Sequence, residues 1–301
     1  MSFPEKIRRK QNKKKHKKTV CSLLFLAPSF IGVLFFFFIP FGVVVYYSMI
    51  DNPVRKNFVL FDNFIALMSN KAFQMAAANT LKFTLVSVPL AVILSLLMAC
   101  MLDKSILFKS QFRSFFLTPM MVPVASVVLV FQVIFNQNGV LNEFLSVFGQ
   151  DKIDWFKSDY AMVIVVILFL WKNLGYNMIL FMAGLAAVPQ EVMDAAKMDG
   201  AGDFQMFVHL KLKYLSPTIF FVTIFSIINS FKVFREVYLL TGDYPYESLY
   251  MLQHFMNNAF QSLNYQRLSA AAIVMSLFMI VIIGILSVSY THLRAHETLA
   301  N

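Results

Sequence analysis

The stretch Val188–Pro217 reads V-P-Q-E-V-M-D-A-A-K-M-D-G-A-G-D-F-Q-M-F-V-H-L-K-L-K-Y-L-S-P, a polar island between two long apolar runs. Glu191, Asp194, Asp199 and Asp203 fall within thirteen residues, interleaved with the small residues Ala195, Ala196, Gly200, Ala201 and Gly202. A merely solvated connector needs no such order. Pro189 sets up a helix from Gln190, the acidic side chains fall where the positive end of a helix favours them, and Gly200 is suited to end it. A second helix is expected from about Asp203, with Phe204, Phe207, Leu210 and Leu212 as its apolar positions. The predicted shape is a helix–Gly–helix knob, small-faced enough for another protein to approach closely.

Composition says what surrounds this island. Of 301 residues, 58% are hydrophobic, 34 are Phe and only 14% are charged, which is membrane-protein composition and leaves almost no sequence for a soluble domain. The net charge of +10 does not point to nucleic acid, because nine basic residues are packed into Lys6–Lys18, directly before the first apolar run. That is the positive-inside signal. The first apolar run is too long for a signal-peptide core and is expected to stay as a helix. Cys21 and Cys100 sit in or beside apolar runs without metal-ligand spacing and read as buried thiols.

Six runs are long enough to cross about 30 Å of hydrocarbon: Val20–Met49, Asn79–Met101, Phe112–Phe135, Ala161–Leu185, Leu215–Leu240 and Arg267–Tyr290. The fold class is therefore an all-α polytopic membrane protein. Its parts are a basic tail over 1–19, a six-helix domain over 20–290 containing the 188–217 loop, and a terminal tail over 291–301. Basic residues recur in Leu102–Arg113 and in the island, whereas Thr241–Gln266 has none. Both termini and the island are thus placed in the cytoplasm.

The island resembles the cytoplasmic coupling loop, the EAA motif, of permease subunits in binding-protein-dependent ABC importers. Asp194-Ala195-Ala196 stands in the first triplet, with Asp for Glu, and Asp199-Gly200-Ala201 in the second; Phe207, His209, Leu210, Leu212, Leu215 and Pro217 continue the pattern. Lys213 replaces the usual Pro. The resemblance covers most of the chain: Ala27-Pro28 to Pro40 and Tyr47-Ser48, Phe61-Asp62-Asn63-Phe64 with Asn79-Thr80-Leu81, Phe112-Arg113-Ser114 to Pro119, Gly139-Val140-Leu141-Asn142, Trp171-Lys172-Asn173-Leu174-Gly175-Tyr176-Asn177, Ala183-Gly184-Leu185, and Phe231, Phe234 with Leu240-Thr241-Gly242. Asp243-Tyr244 departs from the usual Gly-Gly-Pro run. Together these are similar to the carbohydrate-type branch, which includes maltose and glycerol-phosphate permeases.

The resemblance implies a sugar or polyol permease in a bacterial cytoplasmic membrane. It also implies a second homologous permease, two cytoplasmic ATPases that hold ATP and Mg, an external sugar-binding protein and surrounding lipid as partners. It assigns Glu191, Asp194, Ala195, Ala196, Asp199, Gly200 and Ala201 to ATPase coupling, the acids either capping helices or pairing with basic groups. It places Trp171, Asn173, Asn177, Asn229, Ser230 and Phe231 on the substrate path, with Phe234 as a further stacking ring. Polar groups inside spans bind substrate or join helices, and both roles stand open here.

Other chemistry finds little support. No G-x-x-x-x-G-K-[ST] phosphate loop, H-E-x-x-H pair or G-x-S-x-G elbow occurs, so neither catalytic residues, metal nor a cofactor are expected in this chain. A gradient-driven transporter needs an ionisable relay in mid-span, and no acidic residue is expected deep in the six runs; Arg235 and Glu236 are expected as interfacial anchors. The end, Val288–Thr298, lacks a basic stop and resembles a tail found on unrelated assembled sequences; it is read as an assembly junction without function.

Overall fold

The computed structural model describes residues 22–103 and 107–299, with side chains as far as Thr291. The basic tail 1–19, Cys21 and the side chains of the terminal tail after Thr291 lie outside the described residues. The first span is α1, Ser22–Ser48, with a π-helical turn at Leu34–Phe38. The short helix α2, Asp62–Met68, leads into α3, Lys71–Asp103, which keeps its course through Pro89. Helices α4, Lys109–Met121, α5, Val124–Phe135, and α6, Val140–Ser146, follow. Next come α7, Ala161–Ala186, and α8, Gln190–Met198. Helix α9 spans 203–231 without a break, including a π-helical turn at Phe207–Lys211. Helices α10, Phe234–Thr241, α11, Leu252–Gln261, and α12, Tyr265–Leu299, complete the order.

Among the described residues, six helical stretches are long and apolar enough to cross a membrane. The second starts at Lys71 rather than Asn79, and two of the expected runs are broken. The run Phe112–Phe135 is two helices, because Val122 is extended (φ −78°, ψ 134°) ahead of Pro123; proline's ring disfavours helical backbone in the residue before it. The run Leu215–Leu240 starts earlier, at Asp203, and breaks after Phe231, where Lys232 takes φ −88°, ψ 0°. The last helix passes through Tyr290 without interruption and ends at Leu299.

The centre of the bundle is the pair α3 and α7, with α9 and α4 packed beside them. Phe83 meets Phe169 edge-on across this seam with centroids 5.5 Å apart. Close approach is secured by glycine. A Cβ on Gly175 in α7 would stand 1.8 Å from the Phe116 carbonyl oxygen of α4. One on Gly184 would meet Leu215 and Thr218 of α9 at 2.7 Å. Small residues let helix backbones touch where lipid offers no competing hydrophobic drive. By contrast α1 packs on α12 through its second half, Ile39–Ser48, and has none of its apolar window buried in this chain.

Buried amides tie together the helix ends farthest from the 188–217 loop. Asn79 Nδ2 donates to the carbonyls of Glu247 and Tyr250 at 2.6 and 3.1 Å, and Thr80 Oγ1 accepts from Leu252 N–H at 2.9 Å. Asn142, 1% exposed, accepts from Ile153 N–H and Trp155 Nε1–H and donates to the carbonyls of Gln137 and Ile153. These bonds satisfy loop backbone that would otherwise be buried without partners.

Candidate functional site: a cavity and a coupling island

A cavity of about 940 Å³ opens where α5, α7 and α11 face the break between α9 and α10. The break turns the chain so that Lys232, Phe234, Arg235, Glu236 and Tyr238 all reach its wall, opposite Lys172, Asn173 and Tyr176 of α7. Non-helical backbone at membrane depth is tolerated where it lines such a cavity. Glu236 is 7% exposed and its Oε1 accepts from Lys172 Nζ in an ion pair between α7 and α10. Glu236, expected as an interfacial anchor, is instead buried and paired; it stands near the end of the run Leu215–Leu240, so it is not an acid in mid-span. No local pattern reveals it, because its partner is 64 positions away. The available signal is Lys172 itself, a cation in an apolar run that needs a counter-charge.

The six expected path residues divide. Asn173 and Asn229 line the cavity, where Asn229 Nδ2 donates to Asn173 Oδ1 at 3.1 Å. The other four lie outside its lining. Asn177 is fully buried and donates to Ser226 Oγ at 3.0 Å, joining α7 to α9. Ser230 pairs with Thr84 of α3 at 2.9 Å and bonds its own helix at Ile227. Phe231 is buried against Phe278 of α12, and Trp171 packs outside against Phe131. Helical spacing puts Asn173 and Asn177 on one face, but only the first faces open space. The wall also contains Tyr176 and Phe225, whose rings lie 4.9 Å apart, and Gln253 of α11, none singled out by pattern.

At the other end of α7 and α9 stands the island. Helix α8 stops as local chemistry dictates. Gly200 has φ +82°, Ala201 N–H bonds Ala196 O and Gly200 N–H bonds Lys197 O, both at 3.0 Å. These are the two bonds of a Schellman motif. Glu191, Asp194, Ala195 and Asp199 are exposed, with Ala196 and Ala201 half-buried. Asp194 accepts from Gln190 Nε2 at 3.1 Å and lies 3.9 Å from Lys197 Nζ, both on its own helix. Gly202 and Asp203 then open α9. Met193 and Met206 are buried and anchor the two arms, and Lys211 pairs with Asp103 of α3 at 3.0 Å. Phe204, expected on the apolar side of the second helix, is instead 79% exposed, and Met198 is 84% exposed. Two large apolar side chains therefore flank Gly200 in the open.

Comparison with known proteins agrees with this architecture. The family described as binding-protein-dependent transport system inner membrane component matches residues 91–296. The arabinooligosaccharides transport system permease protein AraP of Bacillus subtilis is 31% identical over 230 residues, covering 75% of this chain and 73% of that one. The sn-glycerol-3-phosphate transport system permease protein UgpA of Salmonella typhimurium is 28% identical over 273 residues, covering 89% and 92%. Among solved structures, a chain of a bacterial ABC transporter involved in the import of the acidic polysaccharide alginate superposes with a TM-score of 0.81 over 94% of this chain and 99% of that chain, at 20% identity. The family model covers more than half of the chain, and the chain belongs to the family of binding-protein-dependent transport system inner membrane components, the permease subunits of ABC importers.

Proposed function

We propose that this chain is one of two membrane-spanning halves of a sugar importer, coupled through Val188–Pro217 to cytoplasmic ATPases that bind ATP and Mg. The observation that carries this reading is the exposed island around Gly200, bracketed by Met198 and Phe204 and continuous through α9 with the cavity. Ala195, Ala196, Gly200 and Ala201 give a close-packing face; Glu191, Asp194 and Asp199 meet basic groups of the ATPase or cap the helices facing it. The second half of the pathway is a homologous permease, and an external binding protein delivers the sugar. Relatives that share this length are permeases for arabino-oligosaccharides and for sn-glycerol 3-phosphate, which supports a sugar or polyol as cargo. Asn173 and Asn229 meet sugar hydroxyls, while Trp171, Asn177, Ser230 and Phe231 hold the wall in place. Both termini face the cytoplasm. ATP closes the ATPase pair, the islands of the two permeases move together, and the spans exchange inward for outward access.

The test is ATP hydrolysis and uptake in liposomes holding both permeases and both ATPases. Liganded binding protein should stimulate hydrolysis, and Gly200→Arg should abolish the stimulation while leaving the chain folded. Full ATP-driven uptake by the Gly200→Arg importer would defeat the docking role. Uptake that follows an ion gradient without ATP would favour a secondary transporter, with the Lys172–Glu236 pair as its ionisable element.

A further inference from the structure

The cavity wall carries more positive charge than its own residues neutralise. Lys172, Lys232 and Arg235 face it, and Glu236 is the one carboxylate in its lining. That carboxylate is taken by Lys172. Lys232 and Arg235 are exposed to the open space and make no ion pair among the described residues. Their neighbours are of a different kind: Asn173, Asn229 and Gln253 amides, and the rings of Tyr176, Phe225, Phe234 and Tyr238.

We infer that the transported sugar is anionic, a saccharide carrying a carboxylate, sulfonate or phosphate whose acidic group is received by Lys232 and Arg235. The inference rests on the importer reading above and names its class of cargo. Two like charges on one cavity wall repel each other and are stabilised when a counter-charge reaches them. Hydroxyl groups of a neutral sugar supply hydrogen-bond acceptors but no charge. An acidic group fits Arg235 in particular, since a guanidinium offers a fork of donors matched to carboxylate or phosphate oxygens. The amides and rings suit the rest of the sugar, by hydroxyl hydrogen bonds and by contact with its apolar face. Lys172 and Glu236, already paired, fix the α7–α10 spacing and do not compete for the ligand.

Three sources of counter-charge are separable: cargo, an anionic lipid headgroup, and a carboxylate of the second permease. The experiment uses the assembled importer in phosphatidylcholine liposomes, with Cys21 and Cys100 replaced by Ser and a single thiol introduced by Gln253→Cys. Its labelling by an anionic and by a cationic methanethiosulfonate is timed, each rate normalised to free cysteine. The anionic reagent should be favoured about tenfold, and Lys232→Gln with Arg235→Gln should bring the ratio close to one. Trigalacturonate should slow the labelling, and its uncharged methyl ester should not. Equal normalised rates would assign the charges to a partner carboxylate and overturn the inference. A preference abolished by adding phosphatidylglycerol would assign them to headgroups and overturn it equally. Equal protection by acid and ester, or none by the acid, also overturns it. Stimulation of ATP hydrolysis by the binding protein, read in the same liposomes, reports the importer reading separately. Stimulation without charge preference sinks only the anion assignment; charge preference without stimulation sinks the importer reading and, with it, the cargo, leaving only an anion-binding cavity.

Discussion

The island and the cavity lie at opposite ends of α9, and they differ in how far apart in sequence their parts are. Every bond that shapes the end of α8 joins residues within five positions of each other, from Gln190–Asp194 to Ala201–Ala196. The cavity is joined by Lys172–Glu236 and Asn173–Asn229, across 64 and 56 positions. The end of α8 is therefore a property of a short peptide, the cavity a property of the packed bundle. Damage to the island should stay local, and damage beside the cavity should spread.

The largest effect is expected at the buried pair. Glu236→Ala leaves the Lys172 ammonium without its partner and should cost about 3–5 kcal/mol, read as a lowered thermal midpoint of the detergent-solubilised complex. Adding Lys172→Met should recover most of the loss. If the single variant is as stable as the parent, the cavity is not held by that pair. Next in size, Gly175→Ala pushes a methyl into the Phe116 carbonyl and should destabilise by about 3 kcal/mol, whereas Gly202→Ala on the island, with open space around it, should leave the midpoint unchanged. Equal effects at the two glycines would remove the contrast between the regions.

Asn142→Ala should cost about 2 kcal/mol by stranding the Ile153 and Trp155 groups, seen as faster hydrogen exchange in the outer loop. A smaller change is expected for Gly200→Ala, about 1 kcal/mol for a side chain at positive φ. Its exchange signature should be confined to 196–203, while amides of α7 stay protected. Spread into α7 would show that the island is not autonomous.

A further effect concerns pH. His254 of α11, outside the spans, is held by burial at a pKa lowered from 6.5 to about 4, with Asp243 pulling the other way. Below pH 6.5 the unfolded chain takes up this proton before the folded one. Stability present above pH 6.5 is therefore lost as pH falls towards about 4. A midpoint that declines across this window in the parent, and less in His254→Gln, checks the sign.

This contrast also marks what the sequence could disclose. Pro189 and Gly200 delimit α8 by rules that act within one turn, and the six spans follow from hydropathy alone. The break at Pro123 obeys an equally local rule, but prolines inside spans are so often tolerated that Phe112–Phe135 reads as continuous. The break at Lys232 contains neither Pro nor Gly. Its placement comes from packing that brings α10 against α5, and Glu236 with it. Asn177 and Ser230 have the residue types of a path and the burial of a helix joint, a difference that only neighbouring helices decide. Phe204 shows the converse: a helical apolar position turns outward because Met206 already fills the inner side of that turn.

Helix α9 is also a mechanical part. At about 1.5 Å per residue its span from 203 to 231 is a strut of roughly 43 Å, with the island at its foot and the cavity at its head. Under the importer reading, this unbroken helix is the route from Asp203 to Asn229, and one place along it differs. The π-helical turn at Phe207–Lys211 is wound less tightly than the rest, and Lys211 is pinned to Asp103 at that level. Under the importer reading, a stroke delivered by the ATPase below that level would have to pass this joint to reach the wall where Asn229 and the α9–α10 break sit.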